Sequence, residues 1–180
     1  SIKEYIMQFS EVLKARVSTR DFADRPVSEA EVRYVLDAAL YAPVGMHRFD
    51  TLHLSVITNK EILERIRQAV AKATGDEHAD PLHGAPVLIV VSSSQEGEIG
   101  ALNVSCLIEN MLLAATDLGL GNLYVRGAID VSAKDESLVK AMRVPDGFKP
   151  VASVALGYAN APASPRKTPK NDVTAIDYVK

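Results

Sequence analysis

At 180 residues the chain is long enough to bury a core, and one domain over positions 1–180 is expected. A composition of 47% hydrophobic and 24% charged residues reads as soluble and globular, and a net charge of −3 gives no electrostatic case for nucleic acid or an anionic membrane as partner. The single cysteine, Cys106, excludes an internal disulfide framework and suits a reducing, cytoplasmic setting; no segment reads as long and apolar enough to span a bilayer, and no signal-peptide pattern opens the chain.

Apolar spacing predicts an amphipathic helix over 2–15, carried by Tyr5, Ile6, Phe9, Val12 and Leu13. The next helix, 28–41, has a sharper signature. Ser28 is its N-cap, Glu31 completes a capping box, and Val32, Val35, Leu36, Ala39 and Leu40 form its apolar face. It must stop before Pro43, because proline disfavours helical geometry just upstream. Ala42–Asp50 is then a loop pivoting on Gly45. Residues 52–58 alternate as a strand, 60–73 repeat Ile62, Leu63, Ile66 and Val70 at helical spacing, and 74–84 is a polar loop.

The run APVLIVVS, 85–92, has the pattern of a strand buried on both faces. A long apolar helix follows over 99–118, broken at Gly119, then a short strand at 122–125, a helix at 134–142 and a buried strand at 151–157. Proline and lysine dominate 160–171, predicting an arm or linker, and 173–178 reads as one last strand. Two helices precede any strand, so the fold class is α+β rather than a plain βαβ series. The helix at 99–118 lacks a sustained polar face and must be covered on all sides. In so small a domain this implies a homodimer with that helix at or near the interface.

Candidate binding chemistry begins at RVSTR, Arg16–Arg20. Two planar, always-charged guanidiniums flank the Ser18 hydroxyl, a set suited to a phosphate or an electron-rich ring. GLGLGN offers Gly119 and Gly121, but Tyr124 stands where a dinucleotide fingerprint needs its third glycine, and the motif follows a helix; a helix C-cap and tight turn is the better reading. His78, Asp80 and His83, with Glu77, lie on a polar loop with no rigid element to converge them, so no metal is expected. Cys106 reads as a small buried hydrophobe. Asn103-Val-Ser105 is a formal sequon that means little inside a helix. Glu109 and Asn110, if buried, need partners, either across a dimer or at a ligand.

Five stretches in order resemble the FMN-dependent nitroreductase family over nearly the whole chain. They are RVSTR; AALYAPVG, Ala38–Gly45; GAPVLIVV; ENMLLAATDLGLGNLYVRG, Glu109–Gly127; and VALGYANAP. The resemblance implies a central, mostly antiparallel sheet flanked by helices, in an intertwined homodimer with two FMN sites at the subunit interface. Carried over position by position, it implies that Arg16, Ser18 and the backbone of Val17 hold phosphate and ribityl oxygens. It puts Arg20 near the pyrimidine edge of the flavin, where a cation favours the reduced, negatively charged ring. Pro43, Val44 and Gly45 would cover the flavin from the other subunit. Tyr124, Arg126 and Gly127 join the cofactor-binding set, with the backbone around Arg126 and Gly127 approaching N5. Arg166 and Lys167, favoured over Lys170, would complete the phosphate site from the C-terminal arm.

The chain departs from the family after the proline loop, where members usually carry Asn-x-Gln-Pro-Trp. Here those positions are His47, Arg48, Phe49, Asp50 and Thr51, and Val44 replaces a serine. His47 takes the place of an asparagine that contacts or positions the flavin, and its imidazole still donates or accepts. The resemblance implies an NAD(P)H-dependent oxidoreductase passing electrons through FMN to a nitroaromatic, quinone or similar small acceptor by ping-pong hydride transfer. No side chain is nominated as general acid or base. The rival readings are an FMN-binding module or sensor with little turnover, and a specialised enzyme acting on flavin itself or on a halogenated or unsaturated substrate.

Overall fold

The computed structural model describes residues 8–162, 164 and 174–180. Helix α1 is Phe9–Ala15: Gln8, expected within the helix, is its extended N-cap, and positions 2–7 lie outside the described residues. Helix α2, Glu29–Ala39, starts as its sequence requires: the Glu31 amide donates to the Ser28 hydroxyl, and the Ser28 amide donates to the Glu31 carboxylate. Strand β1, Leu52–Ile57, leads into helix α3, Lys60–Thr74, capped by the Asn59 side chain and closed by Gly75 in the left-handed region. Strand β2, Val87–Ser93, precedes helix α4, Glu98–Asp117; strand β3 is Gly121–Val125 and strand β4 Lys149–Gly157. Between β3 and β4 lie two short helices, α5 at Gly127–Ser132 and α6 at Glu136–Ala141. Apolar spacing predicts α6 but leaves no trace of α5.

The strands form one antiparallel sheet in the order β1-β2-β4-β3, as the α+β reading anticipated. All seven residues of β2 are buried because the sheet is covered on both faces. Strand side chains alternate between faces. Val87, Ile89 and Val91 accordingly join a core with Val35 and Ala39 of α2 and Ile108 and Met111 of α4. Leu88 and Val90 point the other way, into a second core with Ile66 of α3, Ile129 of α5 and Leu138 of α6.

Two expectations are corrected. Thr174–Tyr178, the described part of the last predicted strand, forms no strand, and Ile176, Tyr178 and Val179 are exposed. Apolar alternation marks a segment that could pair, but a ladder also needs a neighbouring edge, and none meets it in the single chain. The reading that no segment could span a bilayer also fails on length and composition: α4 has 20 residues and a mean hydropathy of 1.4. Half of that stretch is buried between the sheet and α2, so α4 serves as a core helix here. Its remaining face stays uncovered, with Ile99 46% and Leu102 55% exposed, Cys106 half-buried rather than sealed in the core, and Glu109 exposed. Asn110 finds its partner within the fold, donating to the Ala38 carbonyl at 3.0 Å.

Candidate functional site

The segment Arg16–Phe22 is laid against the outer side of β3 by backbone bonds. Ser18 pairs in parallel with Asn122, and the Thr19 amide donates to the Asn122 carbonyl at 2.8 Å. The Asn122 amide returns a bond to the Thr19 hydroxyl at 3.2 Å. Gly121 permits this approach, since a Cβ there would sit 2.9 Å from both Thr19 Cγ2 and Oγ1. The second glycine of GLGLGN thus serves packing, while Gly119, at φ +75°, terminates α4. Thr19 and Phe22 are buried as anchors, Arg16, Val17 and Ser18 are half-buried, and Arg20 is exposed. Among the described residues no carboxylate pairs with Arg16 or Arg20. A half-buried arginine without a counter-charge is a prepared place for an anion.

The parallel pairing carries Arg20 along β3 toward Tyr124, which is 41% exposed. Beyond it Arg126 forms an exposed pair with Asp130 at 3.4 Å, and Gly127 opens α5. A Cβ on Gly127 would meet nothing within 4 Å, so its backbone faces open space. Arg16, Val17, Ser18, Arg20, Tyr124, Arg126 and Gly127 therefore share one edge of the sheet.

Pro43, Val44, Gly45 and His47 sit elsewhere. Their loop feeds through Phe49–Thr51 into β1, at the opposite edge of the sheet, on the order of 14 Å away across three strand spacings. Along α4 the loop docks at Asn103, whereas Asn122 docks at Thr116, about 20 Å further on. Val44 is 7% exposed and belongs to the chain's own core, so only its backbone is offered to a ligand. Pro43, Gly45 and His47 are exposed, and Met46 and His47 both hold positive φ, at 55° and 56°. Arg48 grips Asp50 with two parallel bonds of 2.9 Å, where the family pattern has other residues.

A model of the nitroreductase family matches residues 13–158, most of the chain. The chain belongs to the nitroreductase family. A Methanothermobacter thermautotrophicus protein provisionally named NADH dehydrogenase/NAD(P)H nitroreductase is 31% identical over 156 residues, covering 84% of this chain and 78% of that one. A Desulfitobacterium hafniense nitroreductase crystallised with bound FMN superposes with a TM-score of 0.83 at 29% identity, covering 97% of this chain and 100% of its own. A Bacteroides fragilis nitroreductase, also with bound FMN, superposes at 0.81 with 26% identity, covering 95% and 100%.

In this nitroreductase-family chain the C-terminal arm leaves β4 beside the basic segment. The Asn160 amide donates to the Asp21 carbonyl at 3.1 Å, its side chain donates to Asp21 Oδ1 at 2.6 Å, and Ala159 bridges Phe22. Arg166 and Lys167 lie outside the described residues. His78, Asp80 and His83 do not converge; Asp80 instead caps its own turn through the Leu82 amide, and no metal-holding cluster occurs among the described residues. A cavity of about 660 Å³ between α3 and the Asp80–Val87 segment contains none of the predicted site residues. Arg67, one of its two lining cations with Lys60, is engaged by Glu64 and by the Glu77 and Ala79 carbonyls, which ties down the polar loop.

Residues the sequence reading did not single out hold the basic segment in place: Thr19, Asn122, Asn160 and Tyr158. The Tyr158 hydroxyl donates to Glu31, and the Arg25 guanidinium stacks 3.6 Å from the Tyr158 ring centre. Burial pushes the Glu31 carboxyl up, but bonds from Tyr158 and Ser28 outweigh it and hold the group below its ordinary value of 4.5. A carboxyl lowered on folding contributes stability above its unfolded value and loses it as pH falls through the folded one. Tyr158→Phe should therefore lower stability by about 1–2 kcal/mol at neutral pH. The deficit should shrink in acid, as pH falls from 4.5 through the lowered folded value and Glu31 becomes protonated in both proteins. Urea denaturation across that range reads the difference; a deficit independent of pH would detach Tyr158 from Glu31.

Proposed function

We propose that this chain is a cytoplasmic, FMN-dependent oxidoreductase of a single domain, acting as a homodimer. The observation that carries the reading is the separation of its two predicted half-sites: a basic edge where Arg16 and Arg20 meet no carboxylate among the described residues, and a strained loop at the far side of the sheet. One chain keeps them apart, and a second copy brings the loop of one subunit to the basic edge of the other. The uncovered face of α4 and the shallow apolar hollow beside it, lined by Phe9, Val12, Tyr41 and Leu113, supply a surface for that copy.

The residues fit FMN. Arg16, the Ser18 hydroxyl and the backbone of Val17 would hold its phosphate and ribityl end, with Arg166 and Lys167 of the arm as further cations, while Arg20 would lie near the pyrimidine edge of the ring. Tyr124, Arg126 and Gly127 would border the ring, Gly127 presenting backbone without a side chain. Pro43, Val44, Gly45 and His47 of the second subunit would cover it and exclude water. When bound, FMN supplies the redox chemistry, accepting a hydride from NAD(P)H and passing electrons to a nitroaromatic, quinone or similar small acceptor in separate half-reactions. The protein's part is placement and charge, and it assigns no side chain to proton transfer.

Reconstitution decides this. The purified protein mixed with excess FMN and desalted should stay yellow, elute at dimer size, and oxidise NAD(P)H steadily with a quinone or nitroaromatic, giving parallel lines in double-reciprocal plots. Loss of the chromophore on desalting sinks the proposal. A retained chromophore without turnover would instead favour a flavin-binding sensor, the reading suggested by the altered loop at 47–51.

A further inference from the structure

Asn103 is 5% exposed, and both ends of its amide are used. Its Oδ1 accepts the Gly45 amide proton at 3.1 Å, and its Nδ2 donates to Gln95 Oε1 at 3.2 Å. The Thr51 hydroxyl lies 3.0 Å from the same Gln95 oxygen and 2.6 Å from the Arg48 carbonyl. One buried amide thus ties the first residue of the Gly45–His47 turn, and through Gln95 the last residue of the loop, to α4. Gln95 is itself fixed. Its amide donates to Ser93 Oγ at 3.1 Å, and its carbonyl occupies the space left by Gly100, where a Cβ would come within 2.5 Å. Between these two anchors Met46 and His47 hold left-handed backbone, which side-chain-bearing residues adopt only when their surroundings impose it. The formal sequon at Asn103 is therefore a structural clamp and offers no free amide to a sugar.

We propose that Asn103, with Gln95 and Thr51, is the positioning device of the 43–51 loop, holding it in the shape that lies over the cofactor bound by the second subunit. The inference rests on the FMN reading above and deepens it. A site held within a fraction of an ångström needs supporting groups whose own positions are locked, and this network supplies them from a rigid helix.

The test uses the full-length protein, with FMN as the titrant and fluorescence quenching as the readout. Asn103→Ala should weaken FMN binding by about tenfold or more, and change the visible circular dichroism of the bound flavin. Asn103→Asp keeps an acceptor for the Gly45 amide, and Gln95 can turn its amide to donate to the new carboxylate, so it should stay within about threefold of the parent. Without FMN, trypsin should cut after Arg48 faster in Asn103→Ala than in the parent, a reading that needs no cofactor. If Asn103→Ala does not fold, Thr51→Val, which removes one leg at constant volume, should move the same readouts in the same direction. Parent-like affinity and parent-like cleavage in a folded Asn103→Ala, or in Thr51→Val, overturn the inference. A parent protein that takes up no FMN overturns the functional reading and the cofactor role with it, whatever the cleavage shows.

Discussion

Replacing Arg16 with alanine should weaken FMN binding by about 10- to 100-fold and leave riboflavin binding unchanged. A hydrogen bond to a charged group contributes roughly 1.5–3 kcal/mol, and each 1.4 kcal/mol is a factor of about ten. Arg16 is half-buried and fixed at the end of α1, its amide donating to the Val12 carbonyl at 2.9 Å. No described carboxylate competes for it, so the charge is available. Riboflavin lacks the phosphate, which makes it the internal control. Arg20→Ala should behave differently: placed by the resemblance near the ring, it should weaken both ligands alike. Equal losses of both ligands in Arg16→Ala would remove Arg16 from the phosphate.

Leu107→Ala should cost about 2–5 kcal/mol of folding stability, the range for emptying a closed leucine site. Leu107 is 1% exposed, on α4 among the residues packed between the sheet and α2. It has little room to relax, because the β2 and β4 residues facing this core are almost fully buried. Natural domains are stable by only about 5–15 kcal/mol, so the loss should be plain as a shift in the urea midpoint with little change in slope. A shift below about 0.5 kcal/mol would show that the α4–sheet contact is not the core described here.

Most elements were legible because their signals are local. The capping box at Ser28 and Glu31 and the stop before Pro43 depend on atoms a few residues apart, and the unbroken apolar run of β2 follows from burial on both faces. Helix α5 was not legible. It is six residues long, begins with Gly127 and has no side-chain cap. A helix that short forms because Ala128, Ile129 and Ser132 are buried as it packs between α3 and β4, a tertiary cause without a periodic trace. The apparent strand near the C-terminus failed for the opposite reason: its pattern was right, but pairing needs an edge that pattern does not supply.

The amino-acid order alone determined the α+β class, the family likeness and the identity of the cationic segment, since charge, capping and apolar period are properties of neighbours. Only the tertiary structure decided that Arg16–Arg20 lies against β3 while Pro43–His47 docks on α4 and leads into β1 at the other edge, because sheet order is set by packing between distant segments. It also turned Asn103 from a meaningless sequon into the clamp of a strained loop, for a buried amide acquires its role only from the groups folding brings to it.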